Sequence, residues 1–323
     1  MGQSVGRPGQ RLGHNDSIAT TSAGMSQRPV LHRLAITALA WTLAHAAWGQ
    51  ALPADALAKR CWLSYTAERT AVDLREPMAV RFGNLRDGYV LRSPFWVDFG
   101  IRGMGVIPAG NKNERAGHHH LLINTPLPRD HKAAIPFSNT HKHFGKGQTG
   151  AEVSLPAGKH RLRLLFADHE HRPYFVYSRE ITVEVSGART AAPLSIDPNR
   201  FEETCAAWYQ DQISAPRPST PAVYIKNLRD QEPVASPFVL SLGVIGPGVA
   251  PAGQQIANTG HFALTVLRSG SAVQRLALGD GRTEATLDLP KGDYEIEARF
   301  LDAEGQVLLK AAPLRITVSR QER

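Results

Sequence analysis

Cysteine is nearly absent: the chain of 323 residues has two. That is too few for a cysteine-ligated zinc finger or a small disulfide scaffold. Long apolar runs are missing as well. The one candidate, Leu34 to Trp48, falls short of the ~20 residues that a spanning helix needs, and none follows it. No glycine-rich loop enters a helix to cradle phosphate, and no His-Glu-x-x-His helix or nucleic-acid recognition motif occurs. Nucleotide sites, zinc peptidases of that type and nucleic-acid binders therefore find no support. With 42% apolar and 20% charged residues, the chain is neither a multi-span membrane protein nor a disordered one.

What is present is unevenly spread. Arg28 and Arg33 precede the uncharged Leu34–Trp48 run, and Ala44-His45-Ala46 fits a small-x-small cleavage site. This pattern predicts a signal peptide over residues 1–49, with Met25 a better start than Met1, and a periplasmic or secreted protein without an integral span after cleavage. Residues 50–190 carry 20 basic against 13 acidic side chains, whereas residues 191–323 carry 13 against 15. Nine of the 13 histidines fall between His118 and His171.

The remainder is one module written twice. Asn84-Leu85-Arg86-Asp87 returns as Asn227-Leu228-Arg229-Asp230, and Ser93-Pro94-Phe95 as Ser236-Pro237-Phe238. Leu155-Pro156-Ala157-Gly158 matches Leu289-Pro290-Lys291-Gly292, and Ile181-Thr182-Val183 matches Ile316-Thr317-Val318. Such matches in one order mark a tandem duplication. Within each copy, apolar and polar residues alternate, as in Leu162, Leu164 and Phe166 or Tyr294, Ile296 and Ala298. Period-two alternation broken by Gly and Pro predicts an all-β fold: two tandem antiparallel β-sandwich modules, immunoglobulin-like, over 53–187 and 199–320. Short helical lead-ins, Pro53–Thr66 and Asn199–Ile213, precede the sandwiches. Cys61 and Cys205 occupy matching places in them. In an exported chain they are expected as a Cys61–Cys205 disulfide, worth up to ~4–5 kcal/mol across the long loop in the chain-entropy model; the alternative is two unpaired buried thiols.

Three His-x-His pairs stand out in the first copy: His118/His120, His141/His143 and His169/His171. Residues i and i+2 of a strand face the same way, about 6.5–7 Å apart, so two imidazoles can share a cation, and imidazole suits copper and zinc. The second copy keeps His118 as His261 but has Ala263, Arg275, Ala277, Ala303 and Gly305 at the other five places, so the frame does not need them. Phe262 aligns with His119 as a core position, which turns His118 and His120 to the opposite face. Asp168 returns as Asp302 and reads as a turn residue; Gln148 and Thr149 are candidate lining residues. Six histidines exceed one ordinary coordination shell, so some stand idle.

Gly117-His118-His119-His120-Leu121-Leu122-Ile123, His141-x-His143-Phe144-Gly145-Lys146-Gly147-Gln148-Thr149, Leu155-Pro156-Ala157-Gly158-x-His160 and Asp168-His169-x-His171 together resemble a bacterial exported family, domain-of-unknown-function family 4399. The resemblance covers roughly Gly103–Val185 and is weaker in the second copy. It implies a small exported β module and no particular activity. The leading expectation is a binding protein holding copper or zinc. The alternative is a metal-free cell-envelope module whose Lys142, Lys146, Arg161 and Arg163 meet an anionic polymer, or which binds a protein partner. A metalloenzyme ranks last, since no acid or base unique to the first copy stands out beyond Glu114 and Asp130.

Overall fold

The computed structural model describes residues 51–73 and 77–320. The predicted signal peptide and its alternative start lie outside the described residues. The first lead-in forms α1 (Ala56–Ser64), whose start is fixed by Asp55 accepting a hydrogen bond from the Ala58 N–H at 2.8 Å, and a short α2 (Thr66–Thr70).

The first module contains β1 (Ala79–Phe82), β2 (Val90–Ser93), β3 (Phe95–Arg102), β4 (Gly105–Val106), β5 (Ala116–Ile123), β6 (His141–Phe144), β7 (Gly150–Val153), β8 (Gly158–Ala167), β9 (Pro173–Tyr177) and β10 (Ile181–Ala188). After α3 (Phe201–Ile213), the second repeats the series: β11 (Ala222–Ile225), β12 (Glu232–Ser236), β13 (Phe238–Ile245), β14 (Gly248–Val249), β15 (Thr259–Arg268), β16 (Ser271–Leu278), β17 (Glu284–Leu287), β18 (Gly292–Leu301), β19 (Val307–Lys310) and β20 (Leu314–Arg320). Each module is a sandwich of two sheets. One sheet runs β1-β3-β7, and the other runs β2-β10-β8-β5-β4 with β6 on β5 and β9 on β8. The second module has the same order with every number raised by ten.

Hairpin neighbours pair antiparallel, as alternation predicts, but β2–β10 and β4–β5 and their sisters pair parallel. The reason is local. β2 and β4 flank β3, which belongs to the opposite sheet, so each is a short stretch where the chain changes sheets; β2 then lies beside the distant β10, whereas β4 lies beside the next strand, β5, which the intervening loop sets running in the same direction. Phe95, Phe99 and Phe166 in one module, and Phe238, Leu242 and Phe300 in the other, are fully buried in one apolar cluster that runs through both modules.

The lead-ins are exchanged. Asn84 of the first module donates its amide to Ile213 O at the end of the second lead-in (3.0 Å), while Asn227 of the second module donates to Arg69 O at the end of the first (3.1 Å). Thr66 and Arg69 pair with the buried Glu232 of the second module. Asp211 on α3 pairs with Arg92 and Arg189 of the first at 2.7 Å each. Cys61 and Cys205 form a disulfide where the lead-ins meet, Cα–Cα 5.6 Å, in a small core with Trp62, Trp208 and Tyr209. The modules also clasp reciprocally: Val106 N–H donates to Gly281 O, and Val249 N–H to Gly147 O. The repeats are thus related by an approximate two-fold, with the same patches meeting in both directions.

Candidate metal centre

The site begins with β5. His118, His119 and His120 are all buried, but they divide between two faces as strand geometry requires. His119 enters the core, 5.0 Å from the Phe99 ring and 4.9 Å from Phe166. Its sister Phe262 packs on Phe300 in the same manner. His118 and His120 face away from that core. Directly across the antiparallel β5–β6 ladder, His120 is paired with His143, and residues opposed in register present side chains to one face.

Three rings therefore converge. One donor atom from each of His118, His120 and His143 lies within 4.8 Å of the others. Nε2 of His118 and Nε2 of His120 are 3.1 Å apart. Two imidazoles on one ion, each with a metal–nitrogen bond of about 2.0–2.1 Å, would sit about 2.9–3.3 Å apart between square and tetrahedral angles. His171 closes the group from the β8–β9 turn, its ring centroid 5.0 Å from His118 and 4.8 Å from His143.

Neighbours hold these rings in place. A methyl group on Gly145 would lie 2.2–2.3 Å from the His143 imidazole, so the absence of a side chain there leaves the ring its space. Asp168 accepts hydrogen bonds from the Glu170 N–H (2.9 Å) and Arg172 N–H (2.8 Å), closing the turn that presents His171. His171 has φ 66°, where the sister turn places Gly305 at φ 85°. Phe137, 60% exposed, covers the group: it stacks on His143 at 4.5 Å and meets His171 edge-on at 5.0 Å. Its loop, residues 124–140, is tied down by buried Ile135, whose N–H donates to His171 O.

Burial sets the protonation. It is the largest influence pushing His118 down to about 3 and His120 down to about 2, with the neighbouring histidines adding to it. His143 is lowered for the same reason. His118 and His120 are accordingly neutral at physiological pH, as ligation requires. Nδ1 of His118 and of His120 and Nε2 of His143 are buried without a hydrogen-bond partner. The donor triad holds no carboxylate, a composition suited to copper or zinc rather than to calcium or magnesium.

The remaining sequence candidates lie elsewhere. His141 hydrogen-bonds Ser138 and Thr140 through Nδ1 (3.2 and 3.1 Å) and stands outside the triad. His169 is half-buried and uses its carbonyl to hold the Gly110 N–H. Gln148 accepts from the Lys146 N–H within its own turn (2.7 Å). Thr149 belongs to the seam between the modules: its hydroxyl bonds both the carbonyl and the N–H of Val244. Arg163 of the expected basic surface is half-buried, and both it and Arg161 contact Glu180. Phe137 and the steric role of Gly145 are new. The only sequence trace of Gly145 is its place in the His141–Thr149 motif, and Phe137 leaves none.

Fold and cluster together define a tandem β-sandwich protein whose first copy alone carries a histidine centre. The model of a family described as a domain of unknown function (DUF4399) matches residues 97–186 and 240–319, and the chain belongs to that family. No curated protein matches it. Among solved structures it is similar to the fibronectin(III)-like modules of Clostridium thermocellum CbhA (9% identity, covering 76% of this chain and 97% of that one, TM-score 0.21). It is also similar to CopC from Methylosinus trichosporium OB3b (23% identity, 32% and 98%, TM-score 0.22). At such scores neither carries a functional argument. Among the described residues no helix is long and apolar enough to cross a membrane.

Proposed function

We propose that the protein is an exported metal-binding protein whose first module holds one copper or zinc ion through His118, His120 and His143, with His171 on the remaining side. One observation carries this reading: three imidazole donors within 4.8 Å of one another, two of them on fully buried residues. A duplicated frame supports it, because Ala263 and Ala277 stand where His120 and His143 do, so the fold itself does not call for these rings. Of the triad's nitrogens, His143 Nε2 is buried without a partner, which costs roughly 1–3 kcal/mol, and an ion shared with the facing Nε2 atoms of His118 and His120 would engage it. The second module acts as a scaffold. The signal-peptide pattern and the disulfide support an oxidising compartment outside the cytoplasm.

The test is elemental analysis of tag-free protein, exposed to copper and to zinc at neutral pH and then desalted. About one equivalent is expected in the parent, and none in a variant combining His118→Ala, His120→Ala and His143→Ala. A parent that stays metal-free after both challenges overturns the reading, as does a folded variant that retains the ion.

A further inference from the structure

The same strand carries opposite charge in the two modules. β8 and β18 correspond residue for residue, from Gly158 and Gly292 to Phe166 and Phe300. Each lies inside its sheet, between β10 and β5 or between β20 and β15. Leu162, Leu164 and Phe166 enter the core from one, and Tyr294, Ile296, Ala298 and Phe300 from the other. The residues that alternate with them stand on the outer face of each sheet. On β8 these are Lys159, Arg161 and Arg163; at the same three places β18 has Asp293, Glu295 and Glu297. All six are exposed or half-buried, so a basic strip runs along the first module and an acidic strip along the second.

Neighbouring charges blunt the strips without cancelling them. Arg161 and Arg163 approach Glu180 at 3.8 and 3.6 Å, beyond hydrogen-bond length, and Lys159 stands across the ladder from Glu184. On the other strip Asp293 accepts from the Thr317 hydroxyl at 2.7 Å, Glu295 stands across from Arg315, and Glu297 across from Thr265. Arg315 is itself bound by Asp230, and Arg299, next along the face, donates to Thr265 at 2.8 Å. The surfaces differ in form as well. A hollow of about 570 Å³ opens on the acidic strip, lined by Asp293, Glu295, Arg315 and Leu267 among others. On the basic strip Arg161 is exposed, and the Arg163 guanidinium lies 6.0 Å from the ring of Tyr177. The chain as a whole follows the same division, with a net charge of +7 (20 − 13) over residues 50–190 and −2 (13 − 15) over 191–323.

Either sign would keep such a face soluble, so building the sheet does not call for the opposition. Among the described residues no ion pair joins one strip to the other within the chain. On separate copies the unlike strips attract and the like strips repel, which selects the contact by sign. Arginine and lysine can also reach into a hollow while their stems cover apolar surface.

We infer that the basic strip of one copy docks on the acidic strip of a second copy of this chain. Unlike faces meet, so the contact is heterologous: it either closes into a pair, each chain giving both strips, or continues as a string. The inference does not rest on the histidine centre.

The test is sedimentation velocity of exported, tag-free protein in the presence of a chelator, at ~0.01 M and ~0.3 M salt, where the screening length falls from about 30 Å to below about 10 Å. Species heavier than one chain are expected at low salt and should dissociate at high salt. Arg161→Glu with Arg163→Glu should weaken association roughly tenfold or more, as should Glu295→Lys with Glu297→Lys, because each leaves two strips of one sign. Mixed in equal amounts, the two variants should associate again, since each then meets strips of opposite sign; the recovery also shows that both are folded. Lys59→Glu with Lys112→Glu changes the net charge as much as the arginine pair, on exposed residues of α1 and the β4–β5 loop, and should leave association unchanged. A parent that stays a single chain at low salt overturns the inference, even where anionic vesicles or polymers bind it. So does association that survives high salt, an equal loss in the lysine variant, or a mixture that stays dissociated.

Discussion

The two modules share strand order, register and turn chemistry, yet only the first carries the histidine cluster. On β5 and β6 the opposed pair is His120 and His143; on β15 and β16 the same register opposes Ala263 and Ala277. Asp168 and Asp302 close corresponding turns with the same pair of N–H bonds. The larger divergence is in one connection. The β15–β16 hairpin turns through residues 269–270, whereas β5 and β6 are joined by residues 124–140, which bring Phe137 over the rings. The comparison separates what the sandwich requires, the alternation and the Asp-closed turn, from what was added to it or lost from it.

The strongest way to break the comparison is to write the site into the second module. His261 is in place, and Gly279 matches Gly145. Ala263→His with Ala277→His should raise bound copper or zinc from one equivalent toward two, measured by elemental analysis and calorimetry. The new site should be the weaker, since no residue equivalent to Phe137 covers it and Gly305 replaces His171. A content that stays at one equivalent would show that strand register does not suffice and that the long loop is part of the centre.

Next in size is Gly145→Ala. The added methyl group would meet the His143 ring at 2.2–2.3 Å, whereas at Gly279 it would meet only Ala252, at 3.2 Å. Mispositioning one ligand by its support typically lowers metal affinity about 10–100-fold. That loss is expected for Gly145→Ala, with none for Gly279→Ala, in competition titrations against a chelator. Equal behaviour of the two variants would remove Gly145 from the site.

Acid should distinguish the modules too. His118 and His120 titrate near 6.5 when unfolded but are held down to about 3 and about 2 when folded. Between those limits the unfolded chain binds more protons, so their neutral burial stabilises the fold above pH ~6.5 and that contribution fades as the pH falls toward 3. The slope is at most ~1.4 kcal/mol per pH unit for each ring. Denaturant midpoints of metal-free protein from pH 7 to pH 4 should therefore decline more steeply in the parent than in the triple-alanine variant. A saturating ion at a hundred times its Kd should lift the parent curve by ~2.7 kcal/mol near neutral pH. Parallel parent and variant curves would mean that these rings do not govern acid stability.

The duplication, the sandwich class and the facing of His118, His119 and His120 were legible because period two and an internal repeat are local signals. The Cys61–Cys205 pairing was legible from matched positions. Which histidines meet was not. His141 and His143 share a face by parity, but successive same-face residues are about 6.5–7 Å apart along a strand, and only His143 stands across from His120. Thr149 was read beside the histidines because it is near them in sequence, yet its hydroxyl is committed to Val244 across the seam. The exchange of lead-ins was invisible because it depends on how the modules dock, and no periodicity encodes docking.

The smallest predicted effect is the most diagnostic. His171 adopts φ 66°, a left-handed conformation that costs a side-chain-bearing residue roughly 1–2 kcal/mol and costs glycine little. The second module shows the relaxed solution, Gly305 at φ 85°. If the turn served only to join two strands, glycine would serve better in both copies. His171→Gly should accordingly raise the melting temperature of the metal-free protein by about 2–4 °C, while lowering copper or zinc affinity about tenfold. Strain kept where a ligand is needed is the pattern expected of a site maintained against stability. A variant that gains stability and keeps its full affinity would reduce His171 to a bystander of the His118–His120–His143 triad; one that loses stability would mean that the ring's contacts with His118, His143 and Phe137 outweigh the strain of its backbone.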